Sequence, residues 1–143
     1  MTDHNPSAVD DIERINPPSL IDSSPWGFSQ IVVAPANSRV VFLSGQFSGN
    51  VDGDVVGRTV GEQMPIAFRN LAHAIEAAGA KPEHVAKIQV LIVDHEEAFL
   101  PQLVEETVNL FGEHHPASTL IPVPRLALDA MKFEIEATLA VPR

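Results

Sequence analysis

Apolar residues along the chain follow two different spacings, and the spacing separates helices from strands. One stripe recurs at intervals of three and four residues and is formed by Met64, Phe68, Leu71, Ile75 and Ala78. This period predicts an amphipathic helix over 60–78, and a second stripe of the same kind predicts another over 97–111. Gly79 and Gly112 follow the two stretches directly, as glycines commonly do where helices end.

Shorter apolar runs predict the strands. The runs "FSQIVVA" and "RVVFLSGQ" are separated by the turn-forming "PANS" and predict a β-hairpin. The run "VAKIQVLIVD" predicts a third strand, and two more are expected around 117–123 and 131–140. The order β-β-α-β-α-β-β, with helices long enough to cover one sheet, indicates an α+β fold with both helices on one face.

The length of the chain predicts the number of domains, and the sheet face opposite the helices predicts contact with another subunit. A chain of 143 residues fits one domain, so 1–143 is predicted to be a single unit with a flexible, polar arm at about 1–12. The sheet face opposite the helices is too apolar to stay in water, because parity along the strands places Leu91, Leu120 and Phe47 near it. We therefore expect another subunit to bury this face.

Composition excludes several classes of function. The net charge is −10, which repels phosphate backbones, so we expect no nucleic-acid partner. The chain has no cysteine, which excludes disulfides, thiolate metal sites and a thiol nucleophile. No apolar run approaches the roughly 18 residues of a membrane span. The start "MTDHNPSAVDDIER" lacks the basic and apolar regions of a signal peptide, and a cytoplasmic protein without membrane contact is expected.

Cofactor and metal motifs are missing as well. The chain contains no G-x-S-x-G, no P-loop and no dinucleotide fingerprint, so no cofactor is expected. The histidines show no metal-binding pair with a carboxylate between them. The segment "DHEE" at 94–97 could hold a divalent ion, but we interpret it as the cap of the second helix, with Asp94 just before its start.

Two stretches carry residues suited to chemistry. In "MKFEIEATLA", Glu134 and Glu136 share the strand face opposite the helices, about 7 Å apart. Two shielded carboxylates at that distance raise each other's pKa, which suits proton transfer, whereas an exposed or lysine-paired acidic ladder is the simpler alternative. Lys87 and Gln89 have the parity to be partners. In "FLSGQF", a strand ending in Ser-Gly-Gln can leave backbone N–H groups free, or be only a turn.

Taken together, these segments resemble the Rid family (YjgF/YER057c/UK114), whose better-known members hydrolyse reactive enamines and imines. The matching pieces are "SGQ" at 44–46, "LAHAIEAAGA", "VAKIQVLIVD", "PAS" at 116–118 and "FEIEA" at 133–137. The resemblance implies a chorismate-mutase-like α+β fold, with a mixed sheet and two helices on one face. It also implies a homotrimer with small-molecule clefts between neighbouring subunits.

The resemblance also assigns residues to that cleft. It makes Glu134 the residue that handles protons and places six others at substrate-binding positions: Phe28, Ser44, Gly45, Gln46, Ser118 and Leu120. Deaminating members carry, after the loop proline, an arginine that holds the substrate carboxylate, and Ser118 stands there. A guanidinium makes two charge-assisted bonds to a carboxylate where a hydroxyl makes one neutral bond. Arg125, Arg39 and Arg69 are not expected to replace it.

Other cleft positions are mixed. Phe28 stands where the family has a tyrosine and keeps the ring without the hydroxyl, and Leu120 stands where a cysteine is common. A Rid-type imine or enamine hydrolase with altered substrate preference is therefore the first hypothesis. A non-catalytic small-molecule-binding trimer that uses the same cleft is the second. Ribonuclease activity is the third and is disfavoured by the acidic charge.

Overall fold

The computed structural model describes residues 11–143, so most of the arm predicted at about 1–12 lies outside the described residues. The strands are β1 (Glu13–Ile15), β2 (Ile31–Val33), β3 (Arg39–Gln46), β4 (Val85–Val93), β5 (Ala117–Val123) and β6 (Phe133–Val141). The helices are α1 (Val60–Ala77) and α2 (Leu100–Phe111). Both helices pack on one face of the sheet formed by β3 to β6, which confirms the α+β fold.

The main sheet is mixed, and its topology follows from the connections. Its strand order is β3-β6-β4-β5, with β4 and β5 parallel and the other neighbours antiparallel. Parallel neighbours need a crossover, which α2 provides between β4 and β5. β6 and β4 are the two central strands, and their helix-facing residues are almost fully buried. The residues of β6 are therefore held in the most buried part of the sheet.

The predicted β-hairpin between "FSQIVVA" and "RVVFLSGQ" is wrong. β2 pairs with β1 in an antiparallel ribbon, with Ile31 opposite Ile15, while β3 pairs with β6. The "PANS" segment does form a turn, because the Ser38 N–H donates to the Pro35 carbonyl at 3.2 Å. Turn chemistry predicts that the chain reverses, but it does not select the strand with which the next run pairs.

α1 begins at a cap and tolerates a proline. The Glu62 N–H donates to Thr59 Oγ1 at 3.1 Å, which satisfies one free donor of the first turn. Pro65 has no N–H for the carbonyl of Gly61, four residues earlier. The side chain of Gln102 on α2 donates to that carbonyl at 2.8 Å instead. The proline therefore leaves no unsatisfied acceptor and creates a bond between the two helices.

The start of α2 differs from the prediction. A 3-10 turn over Glu97–Phe99 precedes the helix, which begins at Leu100 with Pro101 in its first turn. Proline fits the first turn because the N–H it lacks would have no helical partner there. Asp94 lies in the preceding turn with a φ of 52°, too far from the start of α2 to cap it. The interpretation of Asp94 as a helix cap is therefore wrong.

The two faces of the main sheet differ in what covers them. The core lies between the helices and the sheet and includes Met64, Phe68, Leu71, Ile75, Ile88, Val90, Ile92, Phe133 and Ile135. The opposite face, here called the open face, exposes 79% of Phe42, 58% of Val40 and 37% of Ile121. Such a patch is unusual for a monomer in water. Neither helix of the described part of the chain is long and apolar enough to cross a membrane.

The alternation of side chains along the strands predicted the open face correctly for Leu91. The same prediction was wrong for Leu120 and Phe47. Leu120 pairs in register with Val90, and Val90 faces the helices, so Leu120 lies on the helix side and packs against the core. The parity of β5 is thus set by its register with β4, which the sequence does not show. Phe47 follows an irregularity in β3 and lies in a groove beside His73 of α1.

Candidate functional site

Glu134 lies on the open face of β6, between two residues buried in the core. It is half-buried, and this burial raises the pKa of its carboxyl, with a further rise from the negative charge of Glu136. Within residues 11–143, neither glutamate has a cationic nitrogen within 4.0 Å. Lys87 donates instead to Thr119 Oγ1 at 2.9 Å, so the lysine-paired ladder considered above is not formed. A half-buried carboxyl with a raised pKa is suited to proton transfer.

Gly45 lies directly beneath the carboxylate of Glu134. A Cβ atom at this position would stand 1.9 Å from Glu134 Oε1, so only glycine permits the observed approach. The register between β3 and β6 is interrupted here, because Ser44 and Gly45 together stand opposite the single residue Glu136 of β6. The Gln46 side chain donates back to the Ser44 carbonyl at 3.1 Å. Gly45 and its neighbour Ser44 thus lie with Glu134 in one polar cluster that we call the glutamate cluster, whereas Gln46, in register with Ile135, lines a groove beside α1.

Gln63 anchors the chain just before β6, and the sequence analysis missed it. Its side chain is fully buried and donates to the carbonyl of Ala130 at 2.8 Å and to that of Gly57 at 3.1 Å. Its Oε1 accepts from the N–H of Lys132 at 2.7 Å. These bonds fix the chain just before β6 and so the place where Glu134 emerges. The signal in the sequence is a glutamine among the apolar residues of the α1 stripe.

Phe28, Ser118 and Leu120 come together in a different place, in a cavity of about 260 Å³ between α2, β4 and β5. We call this cavity the apolar pocket. It is lined by Ile21, Trp26, Gly27, Phe28, Ile88, Val90, Leu100, Leu103, Val104, Thr107, Ser118 and Leu120. Thr107 Oγ1 donates to the Leu103 carbonyl at 2.7 Å. Among the lining side chains, the hydroxyl of Ser118 and the indole N–H of Trp26 have no hydrogen bond within residues 11–143.

The segment that brings Phe28 to the pocket is fixed to the start of β5. Ser29 uses its N–H to donate to the Pro116 carbonyl at 2.9 Å and its hydroxyl to donate to the His115 carbonyl at 2.6 Å. Ser29 is buried, so these two bonds are shielded from water. Its neighbour Phe28 is thereby held over Ser118 and Leu120. Local sequence pattern does not predict this contact, because the two segments are almost ninety residues apart.

The sequence-predicted site residues thus fall into two groups. The glutamate cluster lies on the open face of the sheet, and the apolar pocket lies on the helix side. Within residues 11–143 of one chain, the two groups do not come together. None of the pocket-lining residues in 11–143 is an arginine or a lysine. Arg125 pairs with Asp129 at 2.5 Å, Arg39 lies opposite Val141, and Arg69 is exposed on α1.

The described residues have little capacity for a metal. No group of three metal-ligating side chains lies together in residues 11–143. The described residues offer a half-buried carboxyl of raised pKa, irregular backbone beside it, and a separate apolar cavity that the hydroxyl of Ser118 faces.

Comparison with known proteins gives a consistent result. The family model described as Endoribonuclease L-PSP matches residues 23–141. The chain is similar to the crystal structure of YyfB of Yersinia pestis, from the conserved Rid protein family, with a TM-score of 0.81 and 29% identity, covering 92% of this chain and 99% of that one. It is 23% identical over 123 residues to Protein HMF1 of Saccharomyces cerevisiae, covering 86% of this chain and 93% of that protein.

A third relative is named for an activity. The chain is 28% identical over 104 residues to the 2-iminobutanoate/2-iminopropanoate deaminase of Dermatophagoides farinae, covering 72% of this chain and 79% of that protein. The substrates in this name are imino acids, which carry a carboxylate beside the C=N bond. A carboxylate is the group for which the apolar pocket of this chain has no cation.

Proposed function

The chain belongs to the endoribonuclease L-PSP family, which includes the Rid proteins, and from this premise we propose that it hydrolyses a reactive imine or enamine. The single observation that carries the proposal is Glu134, a half-buried carboxyl of raised pKa seated on Gly45 beside interrupted backbone. The deaminase name of the mite relative supports the same reaction class. The missing cation in the apolar pocket supports a substrate preference different from that of an imino-acid deaminase.

The proposed reaction uses water and no cofactor. Glu134 accepts a proton from water as the water oxygen forms a bond to the imine carbon, and the electron pair of the C=N bond moves to nitrogen. Glu134 then returns the proton to nitrogen, which gives a carbinolamine. It next takes the hydroxyl proton and delivers it to the same nitrogen, the C–N bond breaks as the C=O bond forms, and ammonia and a carbonyl compound leave. An enamine first gains a proton on carbon and loses one from nitrogen, which gives the imine. Backbone N–H groups of Ser44 and Gly45 polarise the substrate, and Ser118 contributes one hydrogen bond.

The direct test is ammonia release by purified protein. An amine oxidase generates a neutral imine in situ, an amino-acid oxidase generates a 2-imino acid, and the rate of each decay is measured with and without the protein. We expect acceleration of the neutral imine. No acceleration of any imine would contradict the proposal. Ribonuclease activity predicts cleavage of RNA by the same preparation, which the net charge of −10 disfavours.

A trimer would explain why the two groups of site residues lie on opposite faces. We propose that each open face is covered by another copy, so that the glutamate cluster of one subunit meets the apolar pocket of its neighbour. The exposed Phe42 and Val40 support this arrangement, because they lie on the same face as Glu134. The substrate would then lie between subunits, with the apolar pocket and Ser118 on one chain and Glu134 on the other.

Phe42→Asp should separate the subunits. A charge at the centre of an apolar interface leaves a carboxylate buried without a partner, which is strongly unfavourable. We expect wild-type protein to run as a trimer and the variant as a monomer in size-exclusion chromatography with light scattering, with loss of ammonia release. Val51→Asp, at an exposed loop position, is the matched control and should remain trimeric. A monomeric wild-type protein would refute the arrangement.

Gly45→Ala should impair the reaction without unfolding the protein. The three atoms nearest to the new Cβ, from Oε1 at 1.9 Å to Cγ at 2.9 Å, all belong to the flexible side chain of Glu134, so this side chain moves away while the backbone stays in place. We expect ammonia release to fall at least about 100-fold, the scale of lost general acid–base catalysis, with little change in melting temperature. Gly61→Ala in the first turn of α1 is the control and should keep full activity. Full activity of Gly45→Ala would show that the observed seat of Glu134 is not required.

A non-catalytic trimer that binds a small molecule is the second candidate. It is favoured by the apolar lining of the pocket, which binds without chemistry, and by the lack of a cation there. A thermal-shift screen separates the two candidates. A compound that raises the melting temperature and is recovered unchanged supports binding alone.

A further inference from the structure

The apolar pocket is covered by a loop that hydrogen bonds hold in place. The loop over 16–30 covers it, and Asn16 Oδ1 accepts from the N–H of Gln30 at 2.8 Å and from Ser23 Oγ at 3.2 Å. The Gln30 side chain donates to the Ile21 carbonyl at 3.0 Å. Gly27, at a φ of 77°, packs its backbone against Thr107 of α2. The loop is thus tied at its base and seated on the helix, which gives the cavity a defined shape.

The crown of this loop exposes apolar side chains beside the unfilled cavity. Ile21 is 69% exposed and Trp26 is 51% exposed, although both line the pocket. Exposed large apolar side chains around a concave apolar surface are typical of a ligand site, because a bound apolar group covers them and removes their surface from water. Trp26 is also the single tryptophan of the chain, so its fluorescence reports on this site alone.

The size and polarity of the cavity restrict its ligand. An apolar cavity of about 150 Å³ is enough to bind benzene, and this one measures about 260 Å³. It therefore holds a ring with a short substituent. A carboxylate placed inside would lose its water without gaining a cation, which is strongly unfavourable. A neutral carbonyl or imine needs one hydrogen bond, and the free hydroxyl of Ser118 supplies it.

We propose that the apolar pocket selects an uncharged imine that bears an aryl or branched-alkyl group, with the apolar group among Trp26, Leu103 and Leu120 and the polar end at Ser118. This inference rests on the proposed hydrolase function, since it names the substrate class of that site. The corresponding products are apolar aldehydes or ketones and ammonia. The binding step itself needs no catalysis, so it can be tested separately.

Two ketones that differ in one group test the proposal on the intact protein. 1-Phenylpropan-2-one and phenylpyruvate share a ring and a carbonyl, but the second carries a carboxylate in place of a methyl group. We expect calorimetry to give 1-phenylpropan-2-one a dissociation constant at least about tenfold lower, because burial of the unpaired carboxylate is costly. Its binding should also shift the emission of Trp26 to shorter wavelength. Equal or tighter binding of phenylpyruvate would overturn the proposal.

Substitutions in the apolar pocket test whether 1-phenylpropan-2-one binds there. Leu120→Asp should weaken 1-phenylpropan-2-one at least about tenfold by placing a charge in the pocket, while Leu128→Asp, on the exposed loop before β6, should not. Ser118→Arg should reverse the preference between the two ketones, and it decides the matter if Leu120→Asp does not fold. Binding that leaves the Trp26 emission and both pocket variants unaffected lies elsewhere and refutes the assignment.

The outcomes also separate this proposal from the hydrolase function. The ketones are not hydrolysed, so their binding is measured independently of any proton transfer at Glu134. Ketone binding without ammonia release would refute the hydrolase and leave the pocket assignment intact. Ammonia release without ketone binding would refute the pocket assignment alone.

Discussion

Glu134→Gln should lose ammonia release from a neutral imine by roughly 100- to 10,000-fold, the range of general acid–base catalysis. Glutamine keeps the size of the side chain and its seat over Gly45, but it cannot accept and return the proton. The wild-type rate should rise with pH through the raised pKa of Glu134, because the carboxylate is the base. Steady-state rates across pH, with wild type and variant side by side, measure both effects.

The stability of this variant provides an independent check. A carboxyl whose pKa is raised by folding favours the native state at pH values below its unfolded pKa, and that advantage is lost as pH rises through the folded pKa. The ionised form of Glu134 is therefore a cost to the fold, which glutamine removes. We expect Glu134→Gln to melt at the same or a higher temperature than wild type at pH 7. A large fall in melting temperature would mean that the lost activity reflects unfolding.

Glu136→Gln is the matched control on the same strand face. Glu136 is exposed and raises the pKa of Glu134 through its charge, so its removal should shift the rising limb of the pH–rate profile to lower pH. The maximal rate should stay within about a few-fold of wild type, since Glu136 carries no proton in the reaction. If the two glutamines cause equal losses, the proton-transfer role cannot be assigned to Glu134.

Local periodicity predicted the parts of the fold that depend on local pattern. The period of 3.6 located both helices because their apolar stripes face one continuous core, and alternation placed Glu134 on the open face of β6. The predicted hairpin failed because pairing is chosen by tertiary contacts, and β2 finds its partner in β1. The predicted face of Leu120 was wrong for a related reason, since its face is set by the parallel register with β4.

The sequence predicted which residues belong to the candidate site but not how they are arranged in space. The resemblance supplied Glu134, Gly45 and Ser118, but the sequence did not show that they lie on two faces of the sheet. Gln63 was missed because a polar residue within an apolar stripe indicates burial without naming its partners, which are carbonyl and N–H groups of distant loops. Trp26 was missed because its loop has no periodic pattern, and its place depends on long-range hydrogen bonds.

Ser118→Arg should create or raise hydrolysis of 2-imino acids. Ser118 is half-buried and faces the pocket, where a guanidinium would give a substrate carboxylate two charge-assisted hydrogen bonds in place of one neutral bond. We expect kcat/KM for the imine of alanine to rise by about 10- to 100-fold, in line with the difference between charged and neutral hydrogen bonds. Ammonia release with an amino-acid oxidase as the imine source measures it.

Two further substitutions at Ser118 show whether the rise in kcat/KM comes from the charge, the shape or the bulk of the new side chain. Ser118→Lys supplies the charge without the planar pair of donors and should recover only part of the gain, while Ser118→Met supplies length alone and should recover none. The gain of Ser118→Arg should come with a loss of activity on the neutral aryl imine, because the guanidinium occupies the apolar pocket. A folded, trimeric Ser118→Arg with no gain on imino acids would mean that Phe28 and Leu120 also exclude them. The specificity of this chain would then depend on the whole apolar lining and not on one missing cation.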